Sequence, residues 1–170
     1  MKLIAETERL IIREMESAVD AAFIFAILNT PKFIKYIGDR GVRSVDAAAT
    51  LIDVRYRQSY LDHGFGLNIV VQKSDAVQIG MCGFVKRPHL EHADLGFALL
   101  PEFERQGFGY ESAMPVLTFG KTALGFSTVY AITSLDNHTS GKLLEKLGFG
   151  YDGVQTMPDG ETLKVFSTHL

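Results

Sequence analysis

Cysteine is almost absent from this sequence, which contains Cys82 as its only one. An internal disulfide is therefore excluded, and no spaced cysteine or histidine partners accompany Cys82 to make a zinc site. We expect no bound metal, and a reducing, cytoplasmic location fits a chain of this kind.

Long apolar runs and a strong excess of one charge are lacking as well. The apolar run 21–28 is too short to span a bilayer and lies too far along the chain for a signal peptide. The net charge is −3 and the basic residues are scattered, so no basic face for nucleic acid or an anionic membrane is indicated. We therefore expect a soluble protein with neither of those partners.

What the sequence does contain is enough apolar side chain for a core, since 46% of its 170 residues are hydrophobic. Periodic segments follow one another with brief turns and no linker-like stretch, which predicts one domain over residues 1–170. The hydrophobic period alternates between that of strands and that of helices. The predicted strands are 8–13, 65–71, 77–85, 92–100, 127–134, 150–156 and 162–168. The predicted helices are 17–28, a short turn within 32–37, 44–61, 110–124 and 137–148.

A glycine-containing turn lies between the strand that ends at Leu100 and the next helix. Its residues are Arg105, Gln106, Gly107, Phe108, Gly109 and Tyr110. Backbone N–H groups at a helix start lack intrahelical partners and can bind an anion, and a glycine lets a phosphate approach the backbone. The turn therefore predicts an anion site, although an ordinary flexible loop could have the same sequence.

A dinucleotide-binding fold is a competing interpretation, because Gly107, Gly109 and Ser112 nearly complete a G-x-G-x-x-G pattern. That fingerprint follows its strand immediately, whereas residues 101–106 intervene here. Its acidic residue is expected about 20 positions further on, and Asp136 comes too late. The sequence therefore disfavours this fold.

A second candidate segment is 137–149, which reads NHTSGKLLEKLGF. Asn137 is a good helix N-cap, Gly148 is a good C-terminal cap, and an apolar stripe lies between them. These features alone describe an ordinary amphipathic helix. They leave Ser140 unexplained, because a hydroxyl in the first helical turn can face a ligand as easily as solvent.

The two segments, in this order and with one strand between them, resemble the GNAT acetyltransferase superfamily. The resemblance covers nearly the whole chain and is closest to the RimJ/RimL-like branch, which acetylates the amino termini of ribosomal proteins. The matching segments are 6–13 (ETERLIIR), 78–83 (QIGMCG), 93–97 (ADLGF) and 137–149.

This resemblance implies the GNAT fold, an α/β (α+β) architecture with one mixed, mostly antiparallel sheet and helices on both faces. Two central parallel strands would splay apart and admit the pantetheine arm of coenzyme A beside strand 92–100. Backbone groups of Phe97 and Leu99 would then bind the arm. The other implied cofactor-binding residues are Arg105, Gln106, Gly107, Phe108, Gly109, Tyr110, Asn137 and Ser140.

The resemblance also implies a reaction in which an amine attacks acetyl-coenzyme A directly in a ternary complex. Cys82 is then not needed as a nucleophile, and we expect it to be a small buried residue. An amine with a pKa of about 8 to 10 is mostly protonated at neutral pH, so a base must take its proton. The leaving thiolate benefits from an acid.

The residue that the resemblance indicates as the acid is Ser140. The superfamily often has a tyrosine seven positions after the asparagine, where this chain has Leu144. The ribosomal branch has a serine three positions after the asparagine, and Ser140 occupies that position.

Two residues are candidates for the base. Asp94 stands where the family usually has glutamate, and being one methylene shorter it would act through a water. His92 lies on the same predicted strand face, and histidine is a common general base. Asp94 could instead be structural and orient a loop.

Two residues near the turn depart from the family pattern. Glu104 replaces a glutamine or arginine and puts a negative charge near the expected pyrophosphate. Pro115 lies inside the following helix and is expected to kink it away from the carbonyl of Glu111. The amides of residues 106–110 remain, so we expect the phosphate contacts to come from them.

The amine acceptor is the least determined part of the prediction. The fold would form an acceptor groove from the early helices, around Phe33, Tyr36 and Arg40, and from the final hairpin near Asp159. The acceptors consistent with the resemblance are a protein amino terminus, which we rank first, a polyamine, an antibiotic amine and an amino acid. A module that binds acyl-coenzyme A without turnover is the alternative, and either a monomer or a homodimer is compatible.

Overall fold

The computed structural model describes residues 1–170, and eight strands form one sheet with the order β1-β2-β3-β4-β5-β6-β8-β7. Neighbouring strands are antiparallel except β5 and β6, which are parallel. The strands are β1 (Leu3–Glu6), β2 (Leu10–Arg13), β3 (Leu67–Gln72), β4 (Val77–Val85), β5 (Asp94–Leu99), β6 (Thr128–Ser134), β7 (Gly150–Thr156) and β8 (Thr162–His169). This topology confirms the expected mixed, mostly antiparallel sheet.

The helices lie on both faces of the sheet, as expected. They are α1 (Ser17–Leu28), α2 (Pro31–Tyr36), α3 (Val45–Leu51), α4 (Gln58–His63), α5 (Phe108–Thr122) and α6 (His138–Lys146), with a π-helical segment at Ile52–Arg57 and a 3-10 turn at Pro101–Phe103. None of them is both long enough and apolar enough to cross a membrane.

Strand β3 illustrates how the sheet separates two cores. Val70 belongs to the core beneath α5 and α6, whereas Ile69 and Val71 belong to the core beneath α1 and α3. Successive side chains of a strand point to opposite faces, so a strand with apolar residues on both faces supplies both cores. The sheet is therefore covered on both sides at its centre.

Several predicted boundaries are wrong, each for a local reason. Strand β1 is missing from the prediction because its four residues LIAE carry little period-two signal, and its pairing with β2 stabilises it. The predicted helix 44–61 is divided by the π-helical segment, and it continues to His63. His92 lies outside β5, which begins at Asp94. Pro115, by contrast, lies within α5 as predicted, and the helix continues on both sides of it.

Candidate active site

A gap opens between the parallel strands β5 and β6. The strands pair only where Asp94 lies opposite Tyr130, and the Tyr130 N–H donates to the carbonyl of Ala93 at 3.0 Å. The other edge of β5 pairs with β4 along its whole length. The strands therefore diverge in a V whose apex is at Asp94.

The exposed edge of β5 has a definite polarity. The N–H of Leu100 donates to Ile79 of β4 at 2.9 Å, so even-numbered residues here direct their backbone groups towards β4. Because alternate residues of a strand direct these groups to opposite sides, those of Phe97 and Leu99 are directed towards the gap. This is the edge that was predicted to bind the pantetheine arm.

The turn 105–110 presents a row of unpaired amides. None of the backbone N–H groups of residues 105–110 donates a hydrogen bond within the protein, and the first amide of α5 with a partner is that of Glu111. Arg105 and Gly107 have positive φ angles of 60° and 84°. Unpaired amides at a helix start, with the positive end of the helix dipole, form a binding site for an anion such as pyrophosphate.

The aromatic ring of Phe108 anchors this turn. Phe108 is buried in the core and lies 6.4 Å from the ring of Phe103, while its neighbours Arg105 and Gln106 are exposed. Tyr110 is half-buried, and the Nζ of Lys146 lies 4.6 Å from its ring centre. The turn thus has a fixed base and an open outer surface.

Residues of the first hairpin hold the turn from outside, and the prediction missed them. The Glu111 carboxylate accepts hydrogen bonds from the Thr7 hydroxyl at 2.6 Å and from the Arg9 backbone and Nε at 3.0 and 2.7 Å. Arg9 also donates to the carbonyl of Gln106 at 3.1 Å, and its guanidinium lies 4.3 Å from the Phe108 ring centre. The sequence signal was the segment ETERL, which indicated the family but no contact.

The charge of Glu104 is compensated by a residue from another element. Glu104 forms an ion pair with Lys32 of α2. The expected departure from the family pattern is therefore present, but its charge is balanced across the cleft between α2 and the turn.

Segment 137–149 meets the turn directly. The Asn137 side chain caps α6 by accepting from the Ser140 N–H at 3.2 Å, and the Ser140 hydroxyl has no hydrogen-bond partner in the protein. A side chain at Gly109 would put its Cβ 2.9 Å from Leu143 of α6 and 4.0 Å from Leu99 of β5. The ends of β5 and the starts of α5 and α6 therefore converge on one place.

The two candidate bases lie at the apex of the V. Asp94 is buried, its carboxylate accepts from Arg87 Nε at 3.0 Å, and burial raises its pKa although Arg87 opposes the rise. His92 is half-buried with its ring 5.2 Å from that of Tyr130. Tyr130 is level with Asp94 and Ser134 lies four positions on, so at 3.3 Å per residue the far end of β6 is about 13 Å away. Asp94 and Ser140 thus approach the gap from opposite ends.

A cavity of about 340 Å³ lies on the face of the sheet that carries α1 to α4. Its wall includes Gly96 and Ala98 of β5, together with Phe33 and Arg40, which the sequence had indicated. The predicted Tyr36 lies outside its wall, and Lys35 Nζ is 4.7 Å from the Tyr36 ring centre. Asp159 also lies outside it, in the β7–β8 turn, where it accepts from the Glu161 N–H at 2.9 Å.

The polar residues of this cavity that the prediction missed include Arg55, Tyr56 and Arg87. Arg55 and Tyr56 belong to the π-helical segment, where charged and aromatic residues give no sequence signal that separates a ligand site from a solvated helix face. Arg87 lies in the connection between β4 and β5.

The predicted burial of Cys82 is confirmed. Its side chain is fully buried, and burial raises the pKa of its thiol to about 12, although a hydrogen bond with Ser112 opposes the rise. A thiol with that pKa is protonated at neutral pH and is a poor nucleophile.

A splayed pair of parallel strands, an amide-lined turn between them and a cavity beside them define an acyltransferase architecture that uses coenzyme A. The chain belongs to the GNAT acetyltransferase family, because the family model described as Acetyltransferase (GNAT) domain matches residues 9–150. The protein is thus an acetyl-coenzyme A-dependent N-acetyltransferase.

Relatives and solved structures agree with this family. The uncharacterized N-acetyltransferase YoaA of Bacillus subtilis is 32% identical over 154 residues, which cover 89% of this chain and 85% of YoaA. RimL, a ribosomal-protein alpha-N-acetyltransferase solved in complex with coenzyme A, has a TM-score of 0.84 at 13% identity and covers 99% of this chain and 98% of its own. Spermidine N-acetyltransferase from Vibrio cholerae has a TM-score of 0.78 at 19% identity, with 96% of each chain covered. The last two likenesses show a shared fold.

Proposed function

We propose that this chain transfers the acetyl group of acetyl-coenzyme A to a primary amine by direct attack in a ternary complex, and that the acceptor is a protein amino terminus. The observation that carries the proposal is the row of unpaired amides at residues 105–110, beside the open edge of β5. The amides suit the pyrophosphate and the strand edge suits the pantetheine arm. Coenzyme A supplies the acetyl group as an activated thioester.

In the proposed step, a bond forms between the amine nitrogen and the acetyl carbon while the carbon–sulfur bond breaks. The acceptor must lose a proton before attack. Asp94 takes this proton through a water, and His92 is the alternative. A carboxylate whose pKa is raised by burial is a stronger base than an exposed one. Ser140 donates a proton to the leaving thiolate, since its hydroxyl has no competing partner, and it regains a proton from the nitrogen, which loses its second proton as the amide forms.

The preference for a protein amino terminus is supported by the segments shared with the ribosomal branch and by the fold likeness to RimL. A small-molecule amine, namely a polyamine, an antibiotic amine or an amino acid, is the second candidate. The cavity volume of about 340 Å³ favours it, because it lies at the small end of ligand pockets. A non-catalytic module that binds acyl-coenzyme A is the remaining alternative, prompted by Glu104, Asp94 and Leu144.

The substitution Gly109→Val tests the cofactor turn. Its side chain would displace the end of Leu143, whose Cδ2 lies 2.9 Å from the position of a Cβ, and would hinder the approach of a phosphate to the backbone, so we expect the affinity for coenzyme A to fall about 10-fold or more. The matched control is Gly125→Asn at the other end of α5, where no atom lies within 4 Å of the added Cβ and asparagine tolerates a positive φ. Calorimetric titration measures both, and an unchanged affinity in Gly109→Val would contradict the proposal.

Thiol release from acetyl-coenzyme A against a panel of amines separates the candidate functions. The panel contains peptides with free amino termini, spermidine, an aminoglycoside and free amino acids. Fastest release with the peptides supports the first candidate, and fastest release with a small amine supports the second. Tight binding of coenzyme A with no release from any amine would leave only the binding module.

A further inference from the structure

The cavity beside β5 carries an excess of positive charge. The cationic side chains in its wall are Arg40, Arg55, Lys86 and Arg87, whereas Asp62 is its only carboxylate. Two of these cations have partners, because Arg87 pairs with Asp94 and Lys86 donates to the carbonyls of Leu90 and Glu91. Arg40 and Arg55 are the two cations of the wall that have no such partner.

The missing partners of Arg40 and Arg55 distinguish them from the other arginines. The arginines with ion pairs are Arg9, Arg13, Arg43, Arg57 and Arg87. Those without are Arg40, Arg55 and Arg105, and Arg105 lies in the turn that suits a pyrophosphate. Each unpaired arginine of this chain therefore lines a place where a ligand fits.

From this arrangement we propose that the amine acceptor also carries a carboxylate, which Arg40 and Arg55 bind in the cavity. The proposal rests on the proposed acetyltransferase function and names its substrate class. A planar guanidinium with parallel N–H donors matches a carboxylate in geometry and in charge.

The charges around Arg40 favour an anion. Both arginines are exposed to solvent. The surrounding protein nevertheless desolvates Arg40, and together with the nearby charges of Arg55 and Arg87 it lowers the Arg40 pKa. Glu161 of the β7–β8 turn opposes this effect but makes no ion pair with Arg40. A bound carboxylate would relieve the repulsion among the three guanidinium groups.

The hydroxyl of a residue in the cavity wall provides a further, neutral donor. Tyr56 lies next to Arg55, is only 7% exposed and lines the cavity, yet its hydroxyl has no hydrogen-bond partner in the protein. The hydroxyl of Tyr60 on α4, by contrast, accepts from the Met15 N–H at 3.1 Å and donates to the Leu67 carbonyl. Burial raises the pKa of Tyr56, so it stays protonated and can donate to a carboxylate.

The acidic groups near the cavity do not cancel this charge. Asp62 accepts from the neutral Gln58 at 2.8 Å and makes no ion pair with Arg40 or Arg55, and the charge of Asp94 is paired with that of Arg87. The apolar part of the wall, which includes Phe33, Ile37 and Met81, suits an aliphatic or aromatic group on the same acceptor. A polyamine would bring further positive charge beside two unpaired arginines, which is unfavourable.

The position of the cavity suits an amine that reaches the thioester. Strand β5 contributes Gly96 and Ala98 to the wall. The edge of β5 that faces β6 borders the gap at Phe97 and Leu99. A single strand, about 4.8 Å wide, therefore separates the carboxylate site from the expected course of the pantetheine arm.

Amines that differ only in the carboxylate test the proposal. Phenylalanine is compared with phenylethylamine, and leucine with isoamylamine, by kcat/KM for thiol release. We expect a preference of about 10-fold or more for the member with the carboxylate, as a charge-assisted hydrogen-bonded pair provides. Equal values within each pair would overturn the proposal, and so would a higher value for spermidine.

Peptides distinguish the two sources of a carboxylate. A peptide with glutamate in second position is compared with its glutamine counterpart. Faster thiol release with the glutamate peptide than with every free amino acid identifies an acidic protein amino terminus as the acceptor. Faster release with a free amino acid than with the glutamate peptide identifies the free amino acid. Both outcomes support carboxylate recognition, while no preference in either series contradicts it.

Variants of the two arginines connect the preference to this cavity. The double substitution Arg40→Gln with Arg55→Gln should raise KM for phenylalanine about 10-fold or more and raise KM for phenylethylamine much less. Arg43→Gln is the matched control, because Arg43 pairs with Asp39 and lies outside the cavity wall. Rescue by Arg40→Lys should be partial, since lysine keeps the charge without the fork. A preference retained in the double variant would refute the assignment.

Equilibrium binding separates this proposal from the function on which it rests. Phenylalanine and phenylethylamine are titrated calorimetrically into the protein saturated with coenzyme A. Tighter binding of phenylalanine without turnover of any amine would keep the carboxylate site and reject acetyl transfer. Turnover of several amines with no difference in binding within a pair would keep acetyl transfer and reject the carboxylate site.

Discussion

At the scale of single residues, the candidate chemistry depends on hydroxyl and carboxylate groups in different surroundings. The Ser140 hydroxyl is unpartnered at the start of α6, where Asn137 already caps the helix. Asp94 is buried and bound to Arg87. The first arrangement leaves a group free to act, while the second is compatible both with a base and with a structural pair that orients the β4–β5 connection.

Replacement of Ser140 tests the proposed acid. Ser140→Ala should lower kcat about 100-fold, the smaller end of the range for general acid catalysis, and leave the affinity for coenzyme A nearly unchanged. The helix cap persists because Ser140 contributes its backbone N–H to it. Thr139→Ala, an exposed hydroxyl in the same turn, serves as the control. An undiminished kcat in Ser140→Ala would remove this residue from the mechanism.

The pH dependence of the rate tests Asp94. A base must be unprotonated, so kcat/KM should fall as the pH drops through the pKa of Asp94, which burial raises above its ordinary 3.8. Arg87 opposes that rise, so Arg87→Gln should move the acidic limb of the profile to higher pH, and Asp94→Asn should abolish it. Initial rates between pH 5 and pH 9 measure both. If both variants lower kcat/KM equally and neither shifts its pH profile, Asp94 only orients the connection between β4 and β5.

At the scale of secondary structure elements, the first hairpin supports the cofactor turn. Thr7 and Arg9 lie at the junction of β1 and β2, and Glu111 lies in the first turn of α5. Their hydrogen bonds close an interval of more than 100 positions along the chain, between Arg9 and Glu111. The hairpin therefore does more than extend the sheet, because it holds the helix whose amides face the expected pyrophosphate.

The substitution Glu111→Gln tests this support. The loss of charge in these hydrogen bonds should lower the free energy of unfolding by about 1 kcal/mol and weaken the binding of coenzyme A. Burial alone would raise the pKa of Glu111, but its hydrogen bonds with Thr7 and Arg9 lower it below the ordinary 4.5. A lowered pKa gives stability that is complete above pH 4.5 and is lost as the pH falls through the lowered value.

Urea denaturation at pH 7 and at progressively lower pH, down to 3.5, measures this contribution. The difference in stability between the original protein and Glu111→Gln should shrink as the pH falls. Glu102→Gln is the control, because Glu102 is exposed and has no ion pair. A constant difference at all pH values would contradict an ionised Glu111 as the source of the stability.

At the scale of the whole molecule, the two proposed ligand sites share one strand. The edge of β5 that faces β6 borders the gap, and one face of the same strand forms part of the cavity wall. Both substrates can therefore be bound at once, which is what direct transfer needs. A covalent acetyl-enzyme is not required by this arrangement, and the buried Cys82 is poorly suited to form one.

Kinetic order tests this arrangement. Double-reciprocal plots at several acceptor concentrations should intersect, whereas a covalent intermediate would give the parallel lines of ping-pong kinetics. Cys82→Ala should keep kcat nearly unchanged while it lowers stability by about 1 kcal/mol through loss of a buried side chain. Parallel lines together with an inactive Cys82→Ala variant would reverse this interpretation.

Much of the fold is predictable from local signals, and the failures are local as well. Period-two segments predicted β3 to β8, and Asn137 and Gly148 correctly predicted the two ends of α6. The prediction missed the short strand β1, because its stability comes from pairing with β2. The helix predicted to end at Leu61 gave no sign of its π-helical turn, which depends on tertiary packing around Ile52 and Tyr56.

The sequence by itself determined the family, the glycine-containing turn at the start of a helix and the capped helix that carries Ser140. These depend on backbone conformation and on neighbours a few positions apart, which are legible along the chain. Tertiary structure alone decided that Arg9 and Glu111 support the turn, that Lys32 balances Glu104, and that unpaired arginines meet in one cavity. Such contacts join distant segments, and their charges acquire meaning only when folding shows which of them lack a partner.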